Sequence, residues 1–168
     1  MNAAGAGHLE AIEVLFVCTG NICRSPTAEA VFRHYVHAAG LSQRIQCESA
    51  GTHGYHIGEP PDVRSQRAAA RRGYDLSALR ARQVQRADYS RFHYLLAMAD
   101  NHLALMWTAC PGEHRAKLSL FMTHGAEGRS VGVPDPYYGG EKGFETVLDM
   151  VEDAAQGLLT RIRARHAL

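Results

Sequence analysis

Apolar positions along this chain switch between two periods, and the switches mark its elements. Ile12 to Val17 is an apolar run broken only by Glu13, the pattern of a strand buried on both faces of a parallel sheet. From Ala28 the apolar residues fall at helical spacing: Val31, Phe32, Tyr35, Val36 and Ala39, with Gly40 as the stop. Arg44 to Ala50 sets Ile45, Cys47 and Ser49 against Gln46, Glu48 and Ala50, which predicts a second, more exposed strand. Strand, helix, strand is a βαβ unit with a right-handed crossover.

Beyond a Gly- and Pro-rich loop at 51–61, the pattern predicts a helix over 62–72 with Val63, Gln66, Arg67 and Ala70 along it, ended by Gly73. A connector covers 74–83. A short helix (86–91), a third strand (92–98), a helix (100–109) and a short fourth strand (117–121) follow. A second Gly- and Pro-rich loop fills 123–140, long enough in a compact domain to suggest function. The last helix is the clearest, with Phe144, Val147, Leu148, Val151, Ala155, Leu158, Leu159 and Ile162 in one stripe. Four strands alternating with helices predict an α/β fold, one three-layer α/β/α sandwich on an open four-stranded parallel sheet. No repeat or linker divides it, so 12–168 reads as a single domain behind a flexible tail at 1–11.

The chemistry concentrates where the first strand meets the first helix. Val14 to Glu29 reads as strand, short polar loop and helix start, with a thiol (Cys18) opening the loop and a guanidinium (Arg24) closing it. Ser25 suits an N-cap and Pro26 a first helical residue; Glu29 would add an acid to the first turn. Between a strand and a helix N-terminus, successive backbone N–H groups curl into a concave anion nest. Gly20 and Asn21 tolerate the left-handed angles that such a nest needs. Arg24 offers a planar fork matched to two oxygens of a phosphoryl group. A thiol at the base of that field should ionise readily. One loop can therefore hold a phosphate dianion above a nucleophile. The spacing C-x5-R is common by chance; the flanking strand and Ser-Pro give it weight.

The totals narrow the class. A chain of 168 residues, 46% hydrophobic and 21% charged, is that of a soluble globular protein. A net charge of +1 gives no reason to expect nucleic acid or a membrane surface as partner. Four cysteines (Cys18, Cys23, Cys47, Cys110) in a chain of this length without a signal-peptide pattern suit a reducing cytoplasm better than a disulfide framework. They lack zinc-ligand spacing, and the ten histidines are scattered singly. No metal or other cofactor is expected.

Gly20-Asn21-Ile22-Cys23-Arg24-Ser25-Pro26, Ser49-Ala50-Gly51-Thr52, Ala81-Arg82-Gln83 and Asp135-Pro136-Tyr137-Tyr138-Gly139-Gly140 stand in an order and spacing that resemble the low-molecular-weight protein tyrosine phosphatases over about residues 12–160. The resemblance implies strand order 2-1-3-4, with the first strand central. It implies hydrolysis of phosphotyrosine and small aryl phosphate monoesters through a phosphocysteine on Cys18. Thr19, Gly20, Asn21, Ile22, Cys23, Arg24 and Ser25 would bind the phosphate, and Ser25 would also assist the departing thiolate. Asp-Pro at 135–136 is by itself a plain turn signal; the resemblance makes Asp135 the general acid. Tyr55, Tyr137 and Tyr138 would wall the substrate pocket, and Cys23 could form a protective disulfide with Cys18. His53 and His56 read as bystanders.

A phosphotyrosine protein would be the partner, and the chain would act as a monomer or weak dimer. Relatives often carry a histidine near Leu79 and an aspartate at Ala99 to brace the loop asparagine. Either Asp100 and His102 compensate after a one-residue shift, or the bracing differs. Two other readings share the motif. A thiol-dependent arsenate reductase would need a relay of further cysteines, which Cys47 and Cys110 are poorly spaced to supply. An inactive phosphotyrosine-binding module would not need Cys18, Arg24 and Asp135 together.

Overall fold

Four parallel strands carry the architecture in the computed structural model, which describes residues 10–168. Residues 1–9 of the expected tail lie outside them. β1 (Ile12–Cys18) pairs with β2 (Ile45–Gly51) on one side and with β3 (Tyr94–Ala97) on the other; β4 (Leu118–Leu120) extends the sheet beyond β3. The order is β2-β1-β3-β4, the one implied by the resemblance. Register runs from Ile12 opposite Ile45 to Cys18 opposite Gly51, so the thiol stands at the carboxyl end of the central strand. In open α/β sheets that is where ligands sit.

The helices are α1 (Arg24–Ala38), α2 (Val63–Arg71), α3 (Arg86–Arg91), α4 (Asp100–Ala109) and α5 (Glu141–His166). Val14 and Phe16 point into a core shared with α1, α2 and α5; Leu15 and Val17 point into a second core with α3 and α4. Both faces of β1 are therefore covered, which is why it reads as an unbroken apolar run. Phe16 makes edge-to-face contacts with Phe32 (5.6 Å) and Phe121 (5.1 Å). A one-residue slip of β1 would exchange the two sets of side chains between cores.

Five local expectations are corrected. α1 begins at Arg24 rather than Pro26, and Cys23 is its N-cap residue without a side-chain cap bond. Ser25 caps nothing, because its hydroxyl is committed to Cys18 and Asn21. Glu29 lies beyond the first turn; it is buried and accepts from Ser49 Oγ and the Arg33 guanidinium. On α2 the buried face is Ser65, Ala68 and Ala69, whereas Val63 is exposed. Small side chains let this helix close against the core, with Asp62 capping its start through Arg64 N–H. β3 is shorter than the run 92–98, although His93 N–H and Met98 N–H still donate to Glu13 and Val17.

One contact sets how closely the long helix approaches the turn that follows β4 (Phe121–His124). A Cβ on Gly157 of α5 would lie 1.7 Å from the His124 carbonyl oxygen. Gly157→Ala should gain about 1 kcal/mol of helix propensity but lose more, since overpacking costs about 1–3 kcal/mol and the obstacle is backbone. The expected result is a lower urea midpoint with an unchanged slope; an equal or higher midpoint would refute the close approach.

Candidate active site

The loop from Cys18 to Arg24 is shaped by where its carbonyls go. Cys18 O accepts from Thr52 N–H (2.8 Å), Thr19 O from His53 N–H (3.0 Å) and Ile22 O from Asp62 N–H (2.8 Å). Cys23 O accepts from the Thr27 hydroxyl at 2.6 Å. With these oxygens held outward, the N–H groups of Gly20 to Cys23 have no protein acceptor among the described residues. They are the free donors of an anion nest.

Asn21 supplies the turn. Its φ of +58° is left-handed, and its side chain is tied at both ends. Nδ2 donates to Ser25 Oγ (2.8 Å) and Ser49 Oγ (2.9 Å), while Oδ1 accepts from Arg82 N–H (3.0 Å). Neither Asp100 nor His102 braces Asn21; of the two alternatives the bracing differs, and Ser25, Ser49 and the Arg82 backbone supply it. Arg82 is itself fixed by Asp88 (2.9 and 3.1 Å) and Glu48 (3.3 Å). Gly20 is not left-handed; it is small because a Cβ there would lie 2.9 Å from the His56 ring.

Ser25 Oγ stands 2.9 Å from Cys18 Sγ and 3.4 Å from Ala50 O. Because Asn21 already donates to this oxygen, the hydroxyl proton is free, and the shorter path leads to sulfur. Arg24 is 7% exposed. Its guanidinium donates to Val133 O (3.2 Å), lies 3.4 Å from His102 Nε2 and reaches within 3.8 Å of Asp135 Oδ2. Val133 in turn donates its N–H to Met98 O at 2.7 Å, which pins the 123–140 loop to the end of β3. Leu79 packs on the core, and Ala99 faces Gly132, whose Cβ would meet it at 2.9 Å. The Gly132–Val133 backbone thus takes the place beside Ala99 and supplies a carbonyl to Arg24.

A cavity of about 240 Å³ opens over the loop, lined by Cys18, Thr19, Gly20, Ile22, Cys23, Arg24, Tyr55, His56, Asp135, Tyr137 and Tyr138. Most of the residues singled out from sequence meet here; Asn21 and Ser25 lie behind the wall, buried. His56, set aside as a bystander, forms part of the wall. Tyr55 stacks on His53 at 5.0 Å, Tyr137 and Tyr138 meet edge to face at 5.0 Å, and the Arg64 guanidinium lies over Tyr137. Asp135 is half exposed and accepts from Tyr137 N–H at 3.0 Å. Burial pushes the Cys23 thiol up to about 12, so it stays protonated. A larger cavity of about 630 Å³, beside Arg33 and Cys47, contains none of the loop residues. Among the described residues no cluster of three His, Cys, Asp or Glu could hold a metal, and no helix is long and apolar enough to cross a membrane.

Fold and cavity define an α/β protein with an amide-lined anion cup, a thiol at its floor and a carboxylate at its rim. The model of the low molecular weight phosphotyrosine protein phosphatase family matches residues 13–168. A low molecular weight protein-tyrosine-phosphatase of Streptomyces coelicolor is 46% identical over 153 residues, covering 89% of this chain and 93% of that one. The crystal structure of a protein tyrosine phosphatase from Entamoeba histolytica with Hepes in the active site superposes with a TM-score of 0.89 at 36% identity, covering 93% of this chain and 99% of the other. YfkJ from Bacillus subtilis superposes at 0.88 with 34% identity, over 95% and 99%. The chain belongs to the low molecular weight phosphotyrosine protein phosphatases.

Asn21→Ala removes three hydrogen bonds and leaves a methyl side chain in a left-handed backbone. The cup should loosen, with inhibition by inorganic phosphate weakened about tenfold or more. Phosphate inhibition equal to that of the parent protein would show that the cup holds its shape without this brace.

Proposed function

We propose that this chain hydrolyses phosphotyrosine and small aryl phosphate monoesters in two steps on Cys18. The observation that carries the reading is the convergence of Cys18, the unpaired loop amides, Arg24 and Asp135 on one cavity. In the first step the Cys18 thiolate attacks phosphorus and forms an S–P bond as the P–O bond to the phenol breaks. Asp135 gives its proton to the departing oxygen. Arg24 and the amides of Thr19 to Arg24 hold the equatorial oxygens, where charge is spread in the transition state. In the second step Asp135 takes a proton from water, the water oxygen bonds to phosphorus, and the S–P bond breaks. The Ser25 hydroxyl, 2.9 Å from sulfur, stabilises the returning thiolate.

Tyr55, Tyr137 and Tyr138 form the aromatic rim that would flank a phenyl ring. We read residues 12–168 as one catalytic domain, working as a monomer or weak dimer on a phosphotyrosine protein. Four unpaired, buried cysteines suit the reducing cytoplasm as its location. A Cys18–Cys23 disulfide belongs to the same reading as a reversible guard on the nucleophile.

Cys18→Ser should abolish turnover of para-nitrophenyl phosphate, assayed without added metal, while phosphate binding survives; retained turnover would refute the nucleophile. The same assay separates this reading from arsenate reduction and from a module that only binds. Asp135→Asn should lower kcat about 10²–10⁴-fold on phosphotyrosine peptides, and less on an ester whose leaving group needs no proton. An equal loss on both esters would remove Asp135 from the acid role. Phosphoserine peptides should react far more slowly than phosphotyrosine peptides, because the shorter side chain cannot span the tyrosine rim to the thiol.

A further inference from the structure

His102 lies in the first turn of α4 with its side chain fully enclosed. Its Nε2 is 2.8 Å from Thr19 Oγ1 and 3.4 Å from the Arg24 guanidinium. With the ring proton on Nδ1, Nε2 presents its lone pair to both neighbours, the tautomer that suits a guanidinium, which can only donate. The Thr19 hydroxyl then donates to the same nitrogen. Nδ1 itself has no partner among the described residues. Buried polar atoms are nearly always paired. A ring that leaves one nitrogen orphaned, yet directs the other at two residues of the cup, is placed for that second nitrogen.

The geometry points to His102 as a positioning residue for phosphoryl transfer: a neutral imidazole acceptor that orients Thr19 and Arg24 together towards the bound phosphoryl group. This deepens the proposed hydrolysis and rests on it. Neutrality is what suits the imidazole to the task. A carboxylate at this place would pair with Arg24 and compete with the phosphate for its charge. The imidazole fixes the side chain's direction and leaves the charge for the ligand.

Charged and titratable groups face the ring from three elements: Arg24 on α1, Asp135 on the 123–140 loop and His53 on the loop after β2. Burial first, and then Arg24, push the imidazole down from 6.5 to about 4, against a smaller opposing pull from Asp135. The ring is therefore neutral at pH 7. When it does gain a proton, Nε2 stops accepting and a second cation stands against Arg24. Folding favours the neutral ring, so its contribution is complete above pH 6.5 and is lost as pH falls towards 4.

Two variants test this, each compared with the parent chain for urea midpoint and for kcat and KM on an aryl phosphate. His102→Phe keeps the ring shape and removes the acceptor; kcat should fall about ten- to a hundredfold at pH 7, with weaker inhibition by inorganic phosphate. His102→Gln places an amide oxygen near the position of Nε2 and should recover most of that loss. The rate of the Gln variant relative to the parent should rise as pH falls through about 4, because only the parent gains the proton there. Substrate titration cancels in this ratio. A Phe variant as active and as phosphate-sensitive as the parent would overturn the assignment. So would a Gln variant no better than Phe, or a ratio that stays flat through that pH. If the Phe variant does not fold, the Gln ratio alone decides. A parent chain with no phosphatase activity would instead overturn the hydrolytic reading, before any variant is compared.

Discussion

Four carbonyls of the 18–24 loop are drawn outward by hydrogen bonds, and the arrangement of every other group in the site follows from that. An amide plane has two ends, so fixing the oxygen of one residue fixes the N–H of the next. The donors that hold Cys18 O, Thr19 O and Ile22 O come from residues 52, 53 and 62, all downstream of β2. The fourth comes from Thr27, one turn into α1. The cup is therefore built by α1 and the segment that follows β2, and not by its seven loop residues alone. Unsatisfied N–H groups cost about 1–3 kcal/mol each when buried. A loop that keeps several of them facing one point is held in shape by the four carbonyls bonded on its outward side. A bound anion would recover what the inward half lacks.

The same logic explains the buried polar belt behind the cup. Asn21 is bonded to Ser25, Ser49 and Arg82; Ser49 is bonded onward to Glu29, and Glu29 to Arg33. Arg82 also bridges to the sheet edge, with its carbonyl accepting from Gly51 N–H and its guanidinium on Asp88 and Glu48. A half-satisfied network of this kind would cost more than an apolar one. Here each member has its partners, and the result is one conformation for the left-handed Asn21.

Much of this was legible in the sequence, for a physical reason: Cys18, Asn21, Arg24 and Ser25 act through a strand-loop-helix geometry that is local. The apolar run of β1 and the helical stripes of α1 and α5 likewise depend on spacing alone. What escaped is what depends on distant partners. Ser-Pro is a strong local signal for a cap, but the Ser25 hydroxyl serves only the expected contact with Cys18 and one with Asn21 that local signals do not show. Gly20 was assigned a backbone role, whereas the constraint is the His56 ring packed over it. Val133 acts through its main chain, which any residue possesses, so nothing in its side chain could mark it. His102 is 78 positions from Arg24. The sequence marks it only as a possible brace for Asn21, whereas its partners are Thr19 and Arg24.

Arg24 and Asp135 raise a last question of balance, since in the proposed hydrolysis the guanidinium holds phosphate, the carboxyl group must carry a proton to donate it, and the two share one cavity. Were they locked in a short bidentate pair, the arginine would be spent before the substrate arrived. Their separation of 3.8 Å, with the aspartate side chain 47% exposed and the arginine 8%, keeps the pair weak, since exposed pairs contribute about 0–1 kcal/mol. Val133 keeps it from vanishing: its carbonyl holds Arg24 and its N–H is bonded to Met98, two residues before Asp135 in the chain. The loop is thus anchored at the point where it touches the arginine and free at the point where it carries the acid. A phosphate entering between them meets a guanidinium already aimed by neutral acceptors, Val133 O and His102 Nε2. It has only a weak pair to displace. In the proposed hydrolysis the carboxyl group, released from that pair, is the one that serves the leaving oxygen.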